Sequence, residues 1–242
     1  MATLTKLIVS IILALLLLSC EFNANWGTGR KGNGNVTTNK VPITNDFNEI
    51  HASRGLDIYL TQSSVNSVTI EADSNLHEII TVEVVDDVLE ISAIENIGSA
   101  SAKKVLVNFN NLSRIVATSG SDIYSTNTIT LNELDIDTNS GSDVELHVNA
   151  QKIFCSASSG SDIDIRGKTN HFKASASSGS DIDADDLQAE ISTVKATSGA
   201  SISVNTSKEL VAKANSGGDV VYYGNPSKLD TSEGVSGGIS KK

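Results

Sequence analysis

Acidic side chains recur in pairs in the second half of the chain, two and four residues after a repeated glycine. The pairs are Asp143/Glu145, Asp162/Asp164 and Asp181/Asp183, and together they are called the acidic face below. If consecutive repeats stack, the carboxylates lie about 4.8 Å apart and repel by roughly 1 kcal/mol in water. Three interpretations are open. Ca²⁺, which prefers oxygen ligands, binds between repeats; the carboxyls act as acid and base on a polysaccharide, which requires a separation of about 5 to 9.5 Å; or solvated Asp side chains bond to the N–H groups of a turn.

A pentapeptide positions these residues, and it first occurs as Ser119-Gly120-Ser121-Asp122-Ile123. Five further copies follow, the fifth copy of the series departing from it with Ala200-Ser201, where Ser replaces Asp. The glycines that mark the predicted structural turns are Gly120, Gly141, Gly160, Gly179, Gly199 and Gly217. A period near twenty residues with a constant turn is typical of a solenoid.

Apolar residues keep a fixed offset from each turn glycine. Ile115 and Ala117 stand five and three residues before Gly120, and Ile123 stands three after it; later copies repeat these offsets. Steps of two residues indicate strands and argue against a helix. Residues of one type stacked in register favour a coil of parallel strands over a meander of hairpins. We therefore predict an all-β fold, a single-stranded β-helix with about 20 residues per repeat.

The predicted β-helix domain covers residues 41–242. Residues 41–112 are less regular: Gly55 marks a degenerate first copy, and Asp86-Asp87 has the character of a hairpin turn. Residues 113–224 form the regular repeats. Residues 225–242 lose the columns, and we expect them to complete or cap the last rung.

The N-terminus predicts export. Lys6 is followed by the apolar run Leu7 to Leu18, too short to span a bilayer, so residues 1–19 are a predicted signal peptide. Ser19-Cys20 ends a lipobox-like sequence, which makes Cys20 the predicted lipidation site; an ordinary secretory signal is the alternative. Residues 20–40 are rich in Asn, Gly and Thr and are predicted to form a flexible tether. Cys155 occupies an inward column, where we expect it to be buried.

Charge and composition narrow the partners. The net charge of −11 and pI of about 4.7 exclude a nucleic-acid-binding role, because the phosphate backbone would be repelled. The four histidines share no column and lack zinc-ligand spacing, so we expect them at the surface or at edges. No cofactor is predicted, apart from Ca²⁺ as a candidate ligand of the acidic face.

Several motifs together resemble one bacterial family over residues 41 to 240. They are the lipobox, Phe47-Asn48-Glu49-Ile50, Gly55-Leu56-Asp57-Ile58, Asp73-Ser74-Asn75-Leu76, Val88-Leu89-Glu90-Ile91 and the Ser-Gly-Ser-Asp-Ile series. They are similar to the family described as putative auto-transporter adhesin, head GIN domain. The resemblance implies a right-handed β-helix exported to the cell envelope, with no catalytic residue to transfer.

Two functional hypotheses follow. The first is a non-enzymatic outer-membrane lipoprotein, held to the membrane by its lipid and serving in adhesion, surface binding or as a scaffold. Its partners would be cell-surface or extracellular polysaccharide or protein. The alternative is a polysaccharide-active enzyme, or a carbohydrate or cation binder, that uses the acidic face.

Overall fold

A computed structural model describes residues 29–242, which fold as strands joined by turns. Within this range there is no α-helix, and hence no helix capable of crossing a membrane. The strands are β1 (Val36–Val41), β2 (Glu49–Ala52), β3 (Asp57–Gln62), β4 (Ser67–Asp73), β5 (Ile80–Val85), β6 (Val88–Ala93), β7 (Lys103–Phe109), β8 (Arg114–Ala117), β9 (Asp122–Ser125), β10 (Ile129–Asn139), β11 (Asp143–Ser158), β12 (Asp162–Ser177), β13 (Asp181–Thr197), β14 (Ser201–Asn215), β15 (Asp219–Tyr223), β16 (Lys228–Glu233) and β17 (Gly238–Lys241).

The strands stack as a β-solenoid of about 7 turns with about 19 residues per turn. Consecutive long strands β11, β12, β13 and β14 pair in parallel, one repeat above the next. Parallel pairing of successive repeats excludes the hairpin meander and confirms the predicted coil. Each long strand runs around most of one turn, from one Ser-Gly bend to the next.

The interior is formed by the apolar columns that the sequence predicts. Val144, Ile163, Ile182 and Ile202 are in register on successive rungs, and each is at most 2% exposed. Side chains alternate between the two faces of a strand, so the residues between them point to solvent. Burying one such side chain contributes about 1.5 to 3 kcal/mol, and the stack repeats that gain on every rung. Cys155 is buried in this interior, as predicted.

Two consecutive left-handed residues make each bend. The turn glycines have φ between 67° and 75°, and the serine before each of them has φ between 53° and 59°. The N–H of Gly120 donates to the carbonyl of Ser140 on the next rung at 3.2 Å, and the following four glycines repeat this bond. The serine after the glycine points inward: Ser121, Ser142, Ser161 and Ser180 each donate to the carbonyl three residues earlier at 2.9 Å. These hydroxyls therefore satisfy buried carbonyls at the bend.

The first rungs do not follow chain order. Ile50 and Ile58 stack on Ile115 and Ile123, which confirms that Gly55 marks a degenerate copy of the repeat. On their other side, however, β2 and β3 pair with β6 and β7. The rung of β2 and β3 therefore lies between the rung of β6 and β7 and the rung of β8 and β9. The segment between the Gly55 and Gly120 turns thus supplies the outermost of these three rungs.

Antiparallel strands cover this end of the solenoid. β5 pairs with β6 through the hairpin turn at Asp86 and Asp87, both left-handed, as predicted. β4 pairs with β7, and β1 pairs with β4. The sheets therefore end in hairpin-type strands instead of an open parallel rung.

Residues 29–40 differ from the predicted tether. Residues 36–40 belong to β1, and Arg30 bridges to Ile97. The Asn75 side chain accepts from the N–H of Asn33 at 3.0 Å and donates to the carbonyl of Lys31 at 2.8 Å. Hydrogen bonds of Asn and Gly residues hold this segment in place. Its sequence therefore lacks the apolar periodicity that would have predicted a strand. The predicted signal peptide, Cys20 and the tether up to residue 28 lie outside the described residues.

Residues 228–241 include β16 and β17. β16 pairs with β14 as β15 does, so it continues the rung that β15 begins, and β17 stacks on β15. The inward columns change character here. Glu233 is in register with Ala214, and its carboxylate accepts from the N–H of Ile239 at 2.8 Å. Glu233 continues an inward column but is exposed at this end of the solenoid, and a charge there blunts the edge of the sheet against further strand addition.

Candidate functional site

The structure brings the six residues of the acidic face together on one outward surface, in two neighbouring columns. Asp143, Asp162 and Asp181 are in register on successive strands. Glu145, Asp164 and Asp183 form the second column two residues further along. The outward positions follow directly from the alternation of side chains on β11, β12 and β13.

The first column is longer than the acidic face predicted from sequence. Asp57 and Asp122 extend it at one end, and Asp219 follows beyond Ser201 at the other. The sequence signal was present, since these residues occupy the Asp position of their own turns. In the second column the preceding rungs carry Tyr59 and Tyr124 instead of acids.

Burial and mutual repulsion act together on these carboxyls. Partial burial, followed by the charges of Asp143 and Asp181, raises the pKa of Asp162. Partial burial raises the pKa of Asp164 and Asp183 as well, and neighbouring carboxylates add to it. Asp122 has a raised pKa for the same first reason, although Lys103 partly offsets it. The resolved shifts on this surface all have one direction.

Cations lie at both sides of the acidic columns. Lys103 Nζ lies 2.6 Å from Asp57 Oδ1 and also donates to the carbonyl of Gly55. Arg166 donates to Glu145 at 3.0 Å across the rungs of the second column. The rings of Tyr59 and Tyr124 stack with centroids 5.3 Å apart. Lys104 is in register with Asp57, and its Nζ lies 5.8 Å from the centroid of the Tyr59 ring. The surface therefore combines carboxylates, three cations and one aromatic pair.

Metal-binding geometry is not formed by these side chains. Within residues 29–242, no three His, Cys, Asp or Glu side chains converge as metal ligands. A column of carboxylates at rung spacing presents each group outward, side by side, and does not surround a common point. His51 is 3.0 Å from Glu90, and His147 Nδ1 is 3.1 Å from the hydroxyl of Thr128.

A groove that the sequence does not predict lies at a corner of the solenoid. One wall is a column of polar side chains, the floor is a column of short side chains with one leucine at its end, and a second polar wall follows. The first wall is Thr130, Asn149, Lys168, Gln188 and Asn205; the floor is Leu131, Ala150, Thr169 and Ala189; the second wall is Gln151, Asn170, Glu190 and Ser207. The groove encloses about 620 Å³ and is called the amide groove below.

No fixed offset reveals the amide groove in the sequence. Its first-wall residues fall ten, eight, eight, nine and six positions after the turn glycine of their own rungs. The register of β13 shifts against β12 and β14 in this region. Side chains at different distances from their turn glycines are therefore brought into one column. The columns become visible only when strand pairing is known.

Comparison with family models decides the classification. The model for the family described as putative auto-transporter adhesin, head GIN domain, matches residues 46–226. The chain belongs to this family. The resemblance inferred from the turn motifs is thereby confirmed, and the head GIN domain coincides with the rungs from Phe47 to the end of β15. No curated protein matches the chain.

Solved structures show that the fold recurs among other bacterial proteins. A putative adhesin from Bacteroides fragilis NCTC 9343 superposes with a TM-score of 0.78 at 22% identity, covering 88% of this chain and 99% of that one. A putative lipid binding protein from Parabacteroides distasonis ATCC 8503 gives 0.74 at 21%, with the same coverage. A putative adhesin from Parabacteroides distasonis ATCC 8503 gives 0.72 at 24%, again with 88% and 99% coverage. At these identities the likeness concerns the fold.

Proposed function

We propose that this head GIN domain protein is a non-enzymatic module of the cell envelope, anchored by lipid, that presents its solenoid for adhesion or surface binding. The observation that carries the proposal is the repetition of equivalent outward side chains along the rungs. Asp57, Asp122, Asp143, Asp162 and Asp181 occupy one uninterrupted column. An array of equivalent groups suits contact with an extended surface or polymer.

The electrostatics of the acidic face support a binding role over catalysis. General acid and base catalysis by two carboxyls requires environments that drive their pKa values apart. The pKa values of Asp162, Asp164 and Asp183 are all raised, with burial as the first cause in each case. These three carboxyls are shifted in the same direction by the same first cause, and we take this as support for a binding role.

The lipid anchor is proposed from the N-terminal sequence. The apolar run from Leu7 ends at Ser19-Cys20, where a lipobox requires it. Cys155 is buried, and burial raises the pKa of its thiol. Lipid attachment at Cys20 would hold the protein on the outer membrane, consistent with an adhesin family.

Metabolic labelling tests this anchor. Cells grown with radiolabelled palmitate should incorporate the label into the wild-type chain and not into Cys20→Ser. The variant should leave the membrane fraction while keeping its fold by circular dichroism. Equal labelling of both proteins, or a wild-type chain that fractionates as soluble, would contradict the proposal.

The second candidate is a carbohydrate or cation binder, or a polysaccharide-active enzyme, that uses the acidic face. Its specific support is Arg166, which lies beside Glu145 and adjoins Asp164, because a lyase needs a cation next to its acid. Replacing the four aspartates at 162, 164, 181 and 183 by Asn should abolish activity or sugar binding under this view. Under the first proposal the same variant folds, is exported and still attaches cells, because other outward columns remain, such as the first wall of the amide groove.

A further inference from the structure

The geometry points to the amide groove as a binding site for a linear, uncharged oligosaccharide that lies along the solenoid axis. This inference rests on the surface-binding function proposed above and assigns its ligand class and its location. It places the site away from the acidic face.

The dimensions of the amide groove fit an extended chain. Its first wall has members on five successive rungs, and four steps of about 4.8 Å give a length of about 19 Å. The volume of about 620 Å³ lies within the range of ordinary ligand sites, about 300 to 1,000 Å³. A ligand that crossed the rungs would contact the same kind of side chain at each step.

The walls carry the hydrogen-bonding groups that a sugar chain requires. Asn149, Gln188 and Asn205 supply carboxamides on one wall, each with an acceptor oxygen and two N–H donors, although Asn205 Nδ2 already donates one of its two to the carbonyl of Asp185 at 3.0 Å. Sugar hydroxyls likewise donate and accept, so a carboxamide can satisfy two of them. On the other wall Asn170 Nδ2 donates to Gln151 Oε1 at 2.7 Å, which aligns these two amides before any ligand arrives.

The floor allows the ligand to approach the backbone. Ala150 and Ala189 are 9% and 3% exposed and project only a methyl group. Thr169 lies between them in register, and its hydroxyl donates to the carbonyl of Gln151 at 3.3 Å. Because these floor side chains are short and almost completely buried, a pyranose ring can come close to the backbone while its polar rim meets the two walls.

The charges of the groove favour an uncharged ligand. Lys168 has Asn149 and Gln188 as its neighbours in the column, and Glu190 is paired with Lys208 at 2.7 Å. The groove is thus nearly neutral on a chain whose net charge is −11. A polyanion would contact one lysine, Lys168, and would be repelled by the net negative charge of the protein.

A peptide strand is a poorer occupant of the same space. Peptides that extend a sheet pair with free backbone groups at an edge. Here the backbone of β12 is paired on both sides, with β11 and with β13. The groove therefore offers side chains as partners, and those are carboxamides and hydroxyls.

Titration of the full-length protein in detergent with defined probes tests the inference. The probes are cellohexaose, xylohexaose and mannohexaose, with hexagalacturonate as the charged comparator and an octa-alanine peptide as the strand comparator. We expect at least one neutral hexasaccharide to bind. The double variant Asn149→Ala/Gln188→Ala should weaken that binding at least tenfold.

A matched variant on the acidic face provides the control. Asp164→Asn/Asp183→Asn changes two outward residues on neighbouring rungs and should leave oligosaccharide binding unchanged. Both double variants replace surface side chains, so each should retain the wild-type circular dichroism spectrum. If a groove variant loses its fold, Gln188→Glu, which adds a charge without removing volume, takes its place.

Three results would overturn the inference: no neutral hexasaccharide binds the wild type, only hexagalacturonate or the peptide binds, or the acidic-face variant loses binding while the groove variant keeps it. Attachment of intact cells, measured in parallel with and without the protein, separates the two proposals. Protein-dependent attachment without oligosaccharide binding refutes the groove and leaves the surface-binding function in place. Oligosaccharide binding without protein-dependent attachment refutes the proposed function alone.

Discussion

Replacing Asp162 by Asn should stabilise the solenoid. Asp162 lies between Asp143 and Asp181 in the first acidic column, and partial burial, followed by the charges of both neighbours, raises its pKa. Each pair at about 4.8 Å repels by about 0.9 kcal/mol in water, and physiological salt reduces this by roughly half. Because Asp162 is only partly buried, the repulsion is taken at its value in water, and removing the charge relieves about 1 kcal/mol. For a domain of this size that amounts to a rise in Tm of about 2 to 4 °C.

Thermal unfolding followed by circular dichroism measures this effect, with two controls. Asp230→Asn removes the same charge from β16, where the neighbour in register is Val211, and should change Tm by no more than about 1 to 2 °C, the scale of ordinary surface substitutions. Asp57→Asn removes the partner of Lys103 and should lower the stability by about 0.2 to 1 kcal/mol. The reasoning is refuted if Asp162→Asn lowers Tm, or if its effect equals that of Asp230→Asn.

Three further predictions follow from the same structure. The acidic-face carboxyls whose pKa is raised bind more protons in the folded state than in the unfolded state. Their contribution to stability therefore increases as the pH falls from 7 through the raised pKa values toward about 3.8. A Tm that decreases steadily from pH 7 to pH 5 would contradict this. Gly167→Ala should lower the free energy of unfolding by about 3 kcal/mol or more in urea titrations, because the added Cβ would lie 2.1 Å from the Val148 carbonyl oxygen. Gly160→Ala has open space around the added Cβ and a φ of 67°, so it should cost about 1 to 2 kcal/mol. Equal costs would refute the packing argument. Glu233→Val should promote association, measured by light scattering, because it removes an exposed charge that continues an inward column at the open end of the solenoid. A strictly monomeric variant would show that this charge does not protect the edge.

The regular part of the fold was predictable from sequence because the bend and its two flanking strands keep the same offsets in every copy. Ile115, Ile136 and Cys155 illustrate this: one count from the turn glycine assigns all three to the interior, and the pairing of β8, β10 and β11 confirms it. The acidic face followed by the same count. Its extension to Asp57 and Asp219 required the further knowledge that the irregular ends continue the columns.

Other features depend on contacts that no local pattern encodes. The position of β6 and β7 outside β2 and β3 reverses chain order, and alternation specifies a strand without specifying its neighbour. Residues 29–35 are held by hydrogen bonds to polar side chains such as Asn75. Their composition is that of a flexible tether and does not indicate these bonds. The amide groove depends on the register shift of β13, which changes the count from the turn glycine between rungs.

Attachment of intact cells is the most direct measurement of the central claim, that the protein is a lipid-anchored surface-binding module. Cells that produce the wild-type chain, the Cys20→Ser variant or no protein are compared on surfaces coated with the neutral hexasaccharides and on surfaces coated with extracellular protein. We predict that attachment requires the wild-type chain, and that Cys20→Ser cells attach as poorly as cells without the protein. Equal attachment of all three strains would contradict the account.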